Sequence, residues 1–307
     1  MKKQLVILLG IFLTSSLVQA ERVRHLKQKK GNCVIVNRAK CSGQTFIADA
    51  EGKEAFERAP LAQADFSDSI FDGQGWASEY FDMRSTDLVG AKFKGATLKY
   101  VEGIGIVINK ANFDGATLEQ VRFETAHGRR SSFKKATLRD VVFNRGDFAG
   151  ADFSGLKEGS TGLYANSYAI FTGANFSKAD LKNSEFIDAR MQQANFTGSI
   201  LDNINFLGAH LDGASFKCAT FTGETNFDLA TLTRIDLTGA DLSGAELSNA
   251  DLSNLEGHYC GTAVSSSNGT LLYRSAREIP KEKAADYTAC KIPDGEPPPK
   301  GFCNEKK

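Results

Sequence analysis

The sequence predicts an all-β fold in which the chain winds into a closed coil of short, stacked sides. Five-residue words recur along the chain, each with a small residue, usually alanine, two positions before a central phenylalanine or leucine. The central residues keep a spacing of five over long stretches, which neither a helix period of 3.6 nor a strand period of 2 explains. A coil explains it if each word forms one side, with its central and small residues turned inward and the other three facing water.

The words and their register support this prediction. Representative words are ADFSD (64–68), ANFDG (111–115), ADFSG (151–155), ANFTG (194–198) and ADLSG (240–244). The central residues fall on three five-residue grids, from Leu88 to Phe153, from Phe171 to Phe221 and from Phe227 to Leu252. Eighteen of the 22 phenylalanines occupy a central position, and the exceptions are Phe12, Phe46, Phe56 and Phe302.

These words resemble those of the pentapeptide-repeat family, whose pattern is A(D/N)LxG. The resemblance covers roughly Leu61 to Leu255. It implies a right-handed quadrilateral parallel β-helix with four words in each coil and a continuous core of inward phenylalanine and leucine. One coil cannot bury its own apolar residues, so stability would come from stacking neighbours. At ~4.8 Å per coil, nine or ten coils would form a rod of roughly 45 Å.

The first twenty residues have the features of an export signal. Two lysines precede an apolar run from Leu5 to Val18, and Val18-Gln19-Ala20 offers a cleavage site. The run is too short to span a bilayer comfortably. We therefore expect a mature chain that begins near Glu21, resides in the periplasm or outside the cell, and has no transmembrane segment.

The rest of the chain divides into a rod and two ends. We expect an N-terminal cap over 21–60, the β-helix over 61–256, and a C-terminal cap with a proline-rich tail over 257–307. The largest break in the five-residue register runs from 155 to 169 and is rich in glycine. We interpret 155–169 as a loop that bulges from the rod and splits it into two halves.

Charge is balanced overall but graded along the chain. Without the two lysines of the export signal, 35 basic residues face 37 acidic ones, a net charge of −2. The segment from Lys92 to Arg145 has eleven basic and five acidic residues, whereas Lys178 to Glu256 has five basic and twelve acidic residues. Some pentapeptide-repeat proteins are acidic rods that imitate DNA and occupy topoisomerases. The basic first half and the export signal depart from that pattern, and balanced charge does not favour a DNA partner.

Six cysteines in an exported chain favour disulfides, although six allow fifteen connectivities. Cys33 and Cys41 are eight residues apart and favour a local bridge in the cap. Cys290 and Cys303 would close a loop in the tail. Cys218 and Cys260 remain, and their pairing requires the tail to fold back.

Motifs that would indicate catalysis are missing. The chain has no H-E-x-x-H, G-x-S-x-G, P-loop or G-x-G-x-x-G motif, and its four histidines have no metal-ligand spacing. We therefore expect no metal, no cofactor and no enzymatic activity. The alternative is an exported hydrolase that uses paired carboxylates on the rod surface, because a β-helix can assemble a pair distant in sequence.

The surface residues that we single out for binding are basic and aromatic. Residues twenty apart should share a column, so Lys94–Asp114–Lys134 and Lys99–Glu119–Arg139 would alternate in sign. Three cations are not explained by this alternation, Arg129, Arg130 and Lys135, and Tyr164 and Tyr168 lie in the glycine-rich segment. We expect these five residues to contact a protein or an anionic surface polymer; a solvated exterior is the competing interpretation.

Overall fold

Parallel backbone pairing between successive coils builds the structure, a computed structural model that describes residues 27–28, 33, 37–47, 56–73, 80–221, 223–237, 240, 245–246 and 250. The predicted export signal (1–20) and C-terminal cap (257–307) lie outside these residues. The strands are β1 (Lys27–Gln28), β2 (Thr45–Ile47), β3 (Ile70–Asp72), β4 (Phe81–Asp82), β5 (Thr97–Glu102), β6 (Thr117–Arg122), β7 (Thr137–Val142), β8 (Thr161–Tyr164), β9 (Thr225–Asn226) and β10 (Ala245–Glu246). The described residues contain no helix. Among the described strands, every pair is parallel except β1 with β2.

Single-residue bridges extend the pairing beyond the strands and give each coil four sides. Side 1 carries the ladder Lys40, Asp65, Lys92, Asn112, Ser132, Asp152, Asn175, Asn195, Ser215 and Asp236. Side 2 carries Thr97, Thr117 and Thr137, side 3 carries Tyr164, Glu185, Asn205 and Asn226, and side 4 carries Asp87, Val107, His127 and Asp147. Most steps along side 1, such as Asn112 to Ser132, cover four words, so the predicted four-sided parallel β-helix is confirmed.

The core is a stack of rings spaced by the coil repeat. Phe113, Phe133 and Phe196, which the five-residue grid places inside, are at most 1% exposed. Facing rings in neighbouring coils lie 4.7–5.2 Å apart between centroids, along the column Phe66, Phe93, Phe113, Phe133, Phe153, Phe176, Phe196 and Phe216. This spacing matches the separation of paired strands, about 4.7–4.9 Å. The hydrogen-bond ladder therefore sets the ring stacking.

Two glycines occupy central positions because a ring from the next coil fills their space. A Cβ on Gly128 would run into the Phe148 ring, and a Cβ on Gly103 would contact the Phe123 ring. Both rings are fully buried. The core thus keeps its density where the repeat lacks its central side chain.

The Asp or Asn of each word caps the turn that follows it. The Oδ1 atoms at this position accept a hydrogen bond from the backbone N–H two residues later, at 2.7–3.1 Å, in Asp65, Asn112, Asp152, Asn175 and Asn195. Such side-chain bonds satisfy turn donors that would otherwise lack a partner. The word thus specifies the turn as well as the inward positions.

The segment 155–169 does not form the loop that we predicted from its glycines. Strand β8 lies within it and pairs in parallel with β7, and Leu156 and Leu163 are buried. Asp152 bridges directly to Asn175, so this coil absorbs the few positions by which it exceeds four words. The prediction of a split rod is wrong, because backbone pairing continues where the five-residue spacing does not.

The N-terminal boundary predicted at residue 60 is also wrong. Lys40 already bridges to Asp65 on side 1. Phe46 and Phe56, which fall outside the sequence grids, are fully buried, and Phe46 stacks on Phe71 at 4.9 Å. The first two steps of side 1, which end at Asp65 and Lys92, are both longer than four words. These coils therefore carry insertions that hide them from the pattern.

The predicted local bridge in this region is present. Cys33 and Cys41 form a disulfide with Cα atoms 5.3 Å apart. Cys218 is disulfide-bonded as well. Cys260, Cys290 and Cys303 lie outside the described residues, so the two other predicted pairings stay predictions.

Adding one methyl group at Gly128 should destabilise the rod. We expect Gly128→Ala to lower the free energy of unfolding by about 1–3 kcal/mol, because its Cβ overlaps the Phe148 ring. Phe148→Leu in the same chain should recover part of that loss. Urea unfolding of the two single variants and the double variant measures the coupling. Additive effects of the two substitutions would show that the ring does not fill the glycine position.

Candidate functional site

The five predicted binding residues do not form one site. Arg129 and Arg130 lie on the edge between sides 4 and 1, and Lys135 lies on the edge between sides 1 and 2. These three cations therefore flank side 1. Tyr164 belongs to β8 on side 3, which is opposite, and Tyr168 lies on the edge between sides 3 and 4. The cations can act together, but the tyrosines cannot act with them on one face.

Arg129 differs from its two basic neighbours because it has a carboxylate partner. Its Nε donates to Asp147 Oδ2 at 2.7 Å. Among the described residues, no carboxylate lies within 4.0 Å of Arg130 or Lys135. Both are exposed. Arg130 and Lys135 are therefore the cations available to an external anion.

Lys94 and Lys110 share this property and complete the set. Both are exposed, and neither has a carboxylate within 4.0 Å in the described part of the chain. Lys110 lies on the edge of sides 4 and 1, directly beside Arg130 in the next coil, and Lys94 lies near the edge of sides 1 and 2. We name the four residues Lys94, Lys110, Arg130 and Lys135 the basic face.

The predicted charge columns are present, but their ion pairs are arranged differently. Lys99 faces Glu119 and pairs with it at 3.2 Å, as expected. Lys134 Nζ, in contrast, contacts Asp152 Oδ2 at 3.1 Å. The hydrogen bond and charge of Asp152 raise the pKa of Lys134 above its usual value. Asp114, the predicted partner, accepts hydrogen bonds from the Ser132 hydroxyl and the Lys134 backbone N–H.

Two carboxylates on side 1 have lowered pKa values. Burial raises the pKa of Asp152, but hydrogen bonds from Ser154 and the Lys134 ammonium outweigh it. The same balance, with Ser67 and Lys92, holds the pKa of Asp65 below its usual value. A general acid at neutral pH needs the opposite shift. These two groups therefore act as turn caps and ion-pair partners.

Sequence reasoning missed an ion network on side 3. Arg84 donates to both oxygens of the buried Asp82 and lies 3.8 Å from Glu102. Arg122 lies 3.8 Å from Glu102 and stacks over the Tyr80 ring at 5.6 Å. Residues 82, 102 and 122 are spaced by twenty, which would have predicted the column. Its cations are paired, so this part of side 3 offers little net charge to a partner.

Tyr168 is the more accessible of the two predicted tyrosines. It is 63% exposed with a φ of 66°. Leu229, three coils further along the same edge, is 60% exposed with a φ of 58°. Tyr164 is half-buried beside Gly162. Tyr168 therefore stays a candidate contact residue, separate from the basic face.

Neither a metal site nor a membrane-spanning helix is found in the described ranges. No group of three or more His, Cys, Asp or Glu side chains there is placed to hold a metal ion. No helix in the same residues has the length and apolar character of a membrane span.

Comparison with known proteins identifies the repeat. The family model described as pentapeptide repeats matches in eight copies, over residues 108–145, 167–198, 189–223 and 224–254. The matched ranges omit the coils before residue 108, where the insertions lie. No curated protein sequence matches the chain significantly.

Solved structures with a similar fold are pentapeptide-repeat proteins of diverse origin. HetL, involved in heterocyst differentiation regulation in the cyanobacterium Nostoc sp., is 20% identical with a TM-score of 0.31, over 62% of this chain and 91% of HetL. QnrB1, a plasmid-mediated fluoroquinolone resistance protein, is 20% identical with a TM-score of 0.40, over 56% of this chain and 91% of QnrB1. A protein from the thylakoid lumen of Arabidopsis thaliana is 25% identical with a TM-score of 0.19, over 45% of this chain and 66% of that one.

Acid should remove the contribution of the Asp152 charge. Because the native pKa lies below the unfolded one, the charge stabilises the fold fully above the unfolded value of about 4 and loses that effect as pH falls through the native pKa. We expect Asp152→Asn, which keeps the turn acceptor, to lower stability by under about 1 kcal/mol at pH 7. Urea midpoints between pH 3 and 7 should show the deficit shrinking in acid. A deficit of equal size across this range would contradict the assignment.

Proposed function

The chain belongs to the pentapeptide-repeat family, and from this premise we propose that it is a non-catalytic, exported binding module. Pentapeptide-repeat proteins are generally structural or binding modules. The rod presents side chains from a rigid ladder in which each coil is hydrogen-bonded to its neighbours. Such a surface can hold charged groups in a fixed pattern without ordering a loop on binding.

The basic face is the observation that carries the proposal. Its four cations flank side 1 and have no carboxylate partner in the described chain, whereas neighbouring cations such as Lys92, Arg129 and Lys134 each pair with an aspartate. A cluster of one charge sign raises the local concentration of the opposite charge and accelerates association. The partner should therefore be anionic, either a protein or a surface polymer.

The hydrolase alternative has less support from the same residues. A retaining or inverting hydrolase needs one carboxyl group with a raised pKa beside a second, ionised one. On side 1 the pKa values of Asp65 and Asp152 are lowered, and their oxygens bind turn amides and lysines. This arrangement favours structural roles for both groups.

Charge reversal on the basic face tests the proposal. An immobilised chain with Arg130→Glu and Lys135→Glu should retain much less of the native anionic partner from culture medium or periplasmic extract. The matched control is Arg145→Glu with Lys178→Glu, because all four residues are exposed at turn positions with positive φ. Salt elution followed by composition analysis identifies the retained material. Equal retention by the reversed chain and the control would refute the role of the basic face.

Export has its own test. Expressed with its full sequence in a Gram-negative bacterium, the chain should appear in the periplasm or medium with an N-terminus near Glu21, because the preceding residues match a cleavage site. N-terminal sequencing of the fractionated protein measures this. A cytoplasmic chain that keeps residues 1–20 would contradict the predicted location.

A further inference from the structure

The basic face violates the sign alternation seen at the neighbouring ion pairs. Lys110 donates its backbone N–H to the Arg129 carbonyl, so Lys110 and Arg130 occupy the same turn position in adjacent coils. Like charges placed directly opposite on paired strands are destabilising. The pairs Lys99–Glu119 and Lys92–Asp65 show that this fold readily places a carboxylate beside a lysine. The unmatched pair on this edge is therefore a place where an external anion would relieve repulsion.

The same edge continues beyond Arg130 without further cations for several coils. Backbone hydrogen bonds connect the successive turns at Lys110, Arg130, Gly150, Gly173, Gln193 and Gly213, and Arg234 follows in the next coil. Beside them lie Ala149, Thr172 and Gln192, and the Thr172 hydroxyl donates to Gln192 Oε1 at 3.2 Å. The edge is thus a basic start followed by a low, uncharged band of amide and hydroxyl groups.

A carboxylate lies at the far end of this band, and its oxygens are occupied. Asp212 accepts hydrogen bonds from the hydroxyls of Thr231 and Thr233. The Gln193 backbone N–H donates to the Asp212 carbonyl, so Asp212 belongs to the coil after Gln193. The turn positions after Arg130 up to Gln193 are therefore uncharged.

This pattern distinguishes among anionic partners. A nucleic acid carries a phosphate at every nucleotide and favours a continuous cationic groove with aromatic stacking residues. The edge has neither in the residues described. A chain of sugars offers hydroxyl groups along its whole length and acidic groups at intervals, which matches amide and hydroxyl side chains that follow a cationic start.

We propose that the partner is a linear acidic polysaccharide that lies along the edge of sides 4 and 1, with its acidic groups at Lys110 and Arg130. This inference rests on the proposed binding function and adds the partner class and direction. The polymer follows the rod axis over three coils from Arg130 to Gln193, a distance of about 15 Å. Arg234 lies beyond that span and can engage a longer chain.

The test uses the full mature chain and three probes, namely polygalacturonate, dextran sulfate and neutral dextran, each as a series of chain lengths. We expect the two acidic polymers to bind and neutral dextran not to bind. Affinity should rise with length until the polymer spans Arg130 to Gln193. Preference for polygalacturonate or for dextran sulfate identifies carboxylate or sulfate as the acidic group.

A single near-isosteric substitution places a charge on the band. Gln193→Glu should weaken binding of long acidic polymers by roughly fivefold, the size expected for one added surface charge, and leave short ones unchanged. The matched control is Asn183→Asp, in the same coil on the diagonal edge, where both residues are exposed with a φ of 55–60°. That variant should bind like the native chain.

The outcomes separate this inference from the proposed function. The polysaccharide assignment is wrong if acidic polymers do not bind, or if Gln193→Glu and chain length have no effect. If charge reversal at Arg130 and Lys135 still removes the native partner in that case, the binding function stands with a different anionic partner, such as an acidic protein. If charge reversal also leaves the native partner bound, the binding function itself is wrong.

Discussion

Registration between the backbone ladder and the stacked rings constrains everything else in this molecule. Amide hydrogen bonds hold successive coils at one spacing, and phenylalanine rings fill that spacing face to face. Aromatic pairs left free prefer offset or edge-on arrangements, so the parallel stacks are imposed by the coil. Because each ring of the column touches its neighbours above and below, a coil has no independent core, and the outward side chains inherit fixed positions from the inward ones.

The sequence allowed prediction of the inward positions, since a strict spacing of five matches neither a helix nor a flat strand. It could not reveal where the coil tolerates additional residues. The segment 155–169 illustrates this, because its glycines and tyrosines have the composition of a loop although β8 lies within it. Phe46 and Phe56 illustrate the converse, because coils longer than four words shift their rings off the grid while the backbone still pairs. Periodicity reports side-chain register, whereas backbone pairing survives small insertions that interrupt the register.

Surface chemistry was predictable in outline only. Spacing by twenty places residues in columns, and Lys99 and Glu119 meet as expected. Which partner a long side chain selects depends on its direction along the rod axis, and Lys134 extends to Asp152 in the following coil. Arg129 and Arg130 are adjacent in sequence, yet one is neutralised by Asp147 and the other is not. Availability of a cation is therefore a property of three coils at once, beyond the reach of a single repeat.

Strand β1 gives the molecule a directional start. It runs antiparallel to β2, with Lys27 opposite Ile47 and Gln28 opposite Phe46, whereas the later pairs of described strands are parallel. A second rod that stacked its own coil onto this end would need a parallel edge, and on side 2 the reversed strand occupies that edge. Protected edges are how sheet proteins avoid growing into fibres. A solenoid with one reversed strand at its entrance can thus lengthen through repeat duplication within the gene while its folded copies remain separate at high concentration.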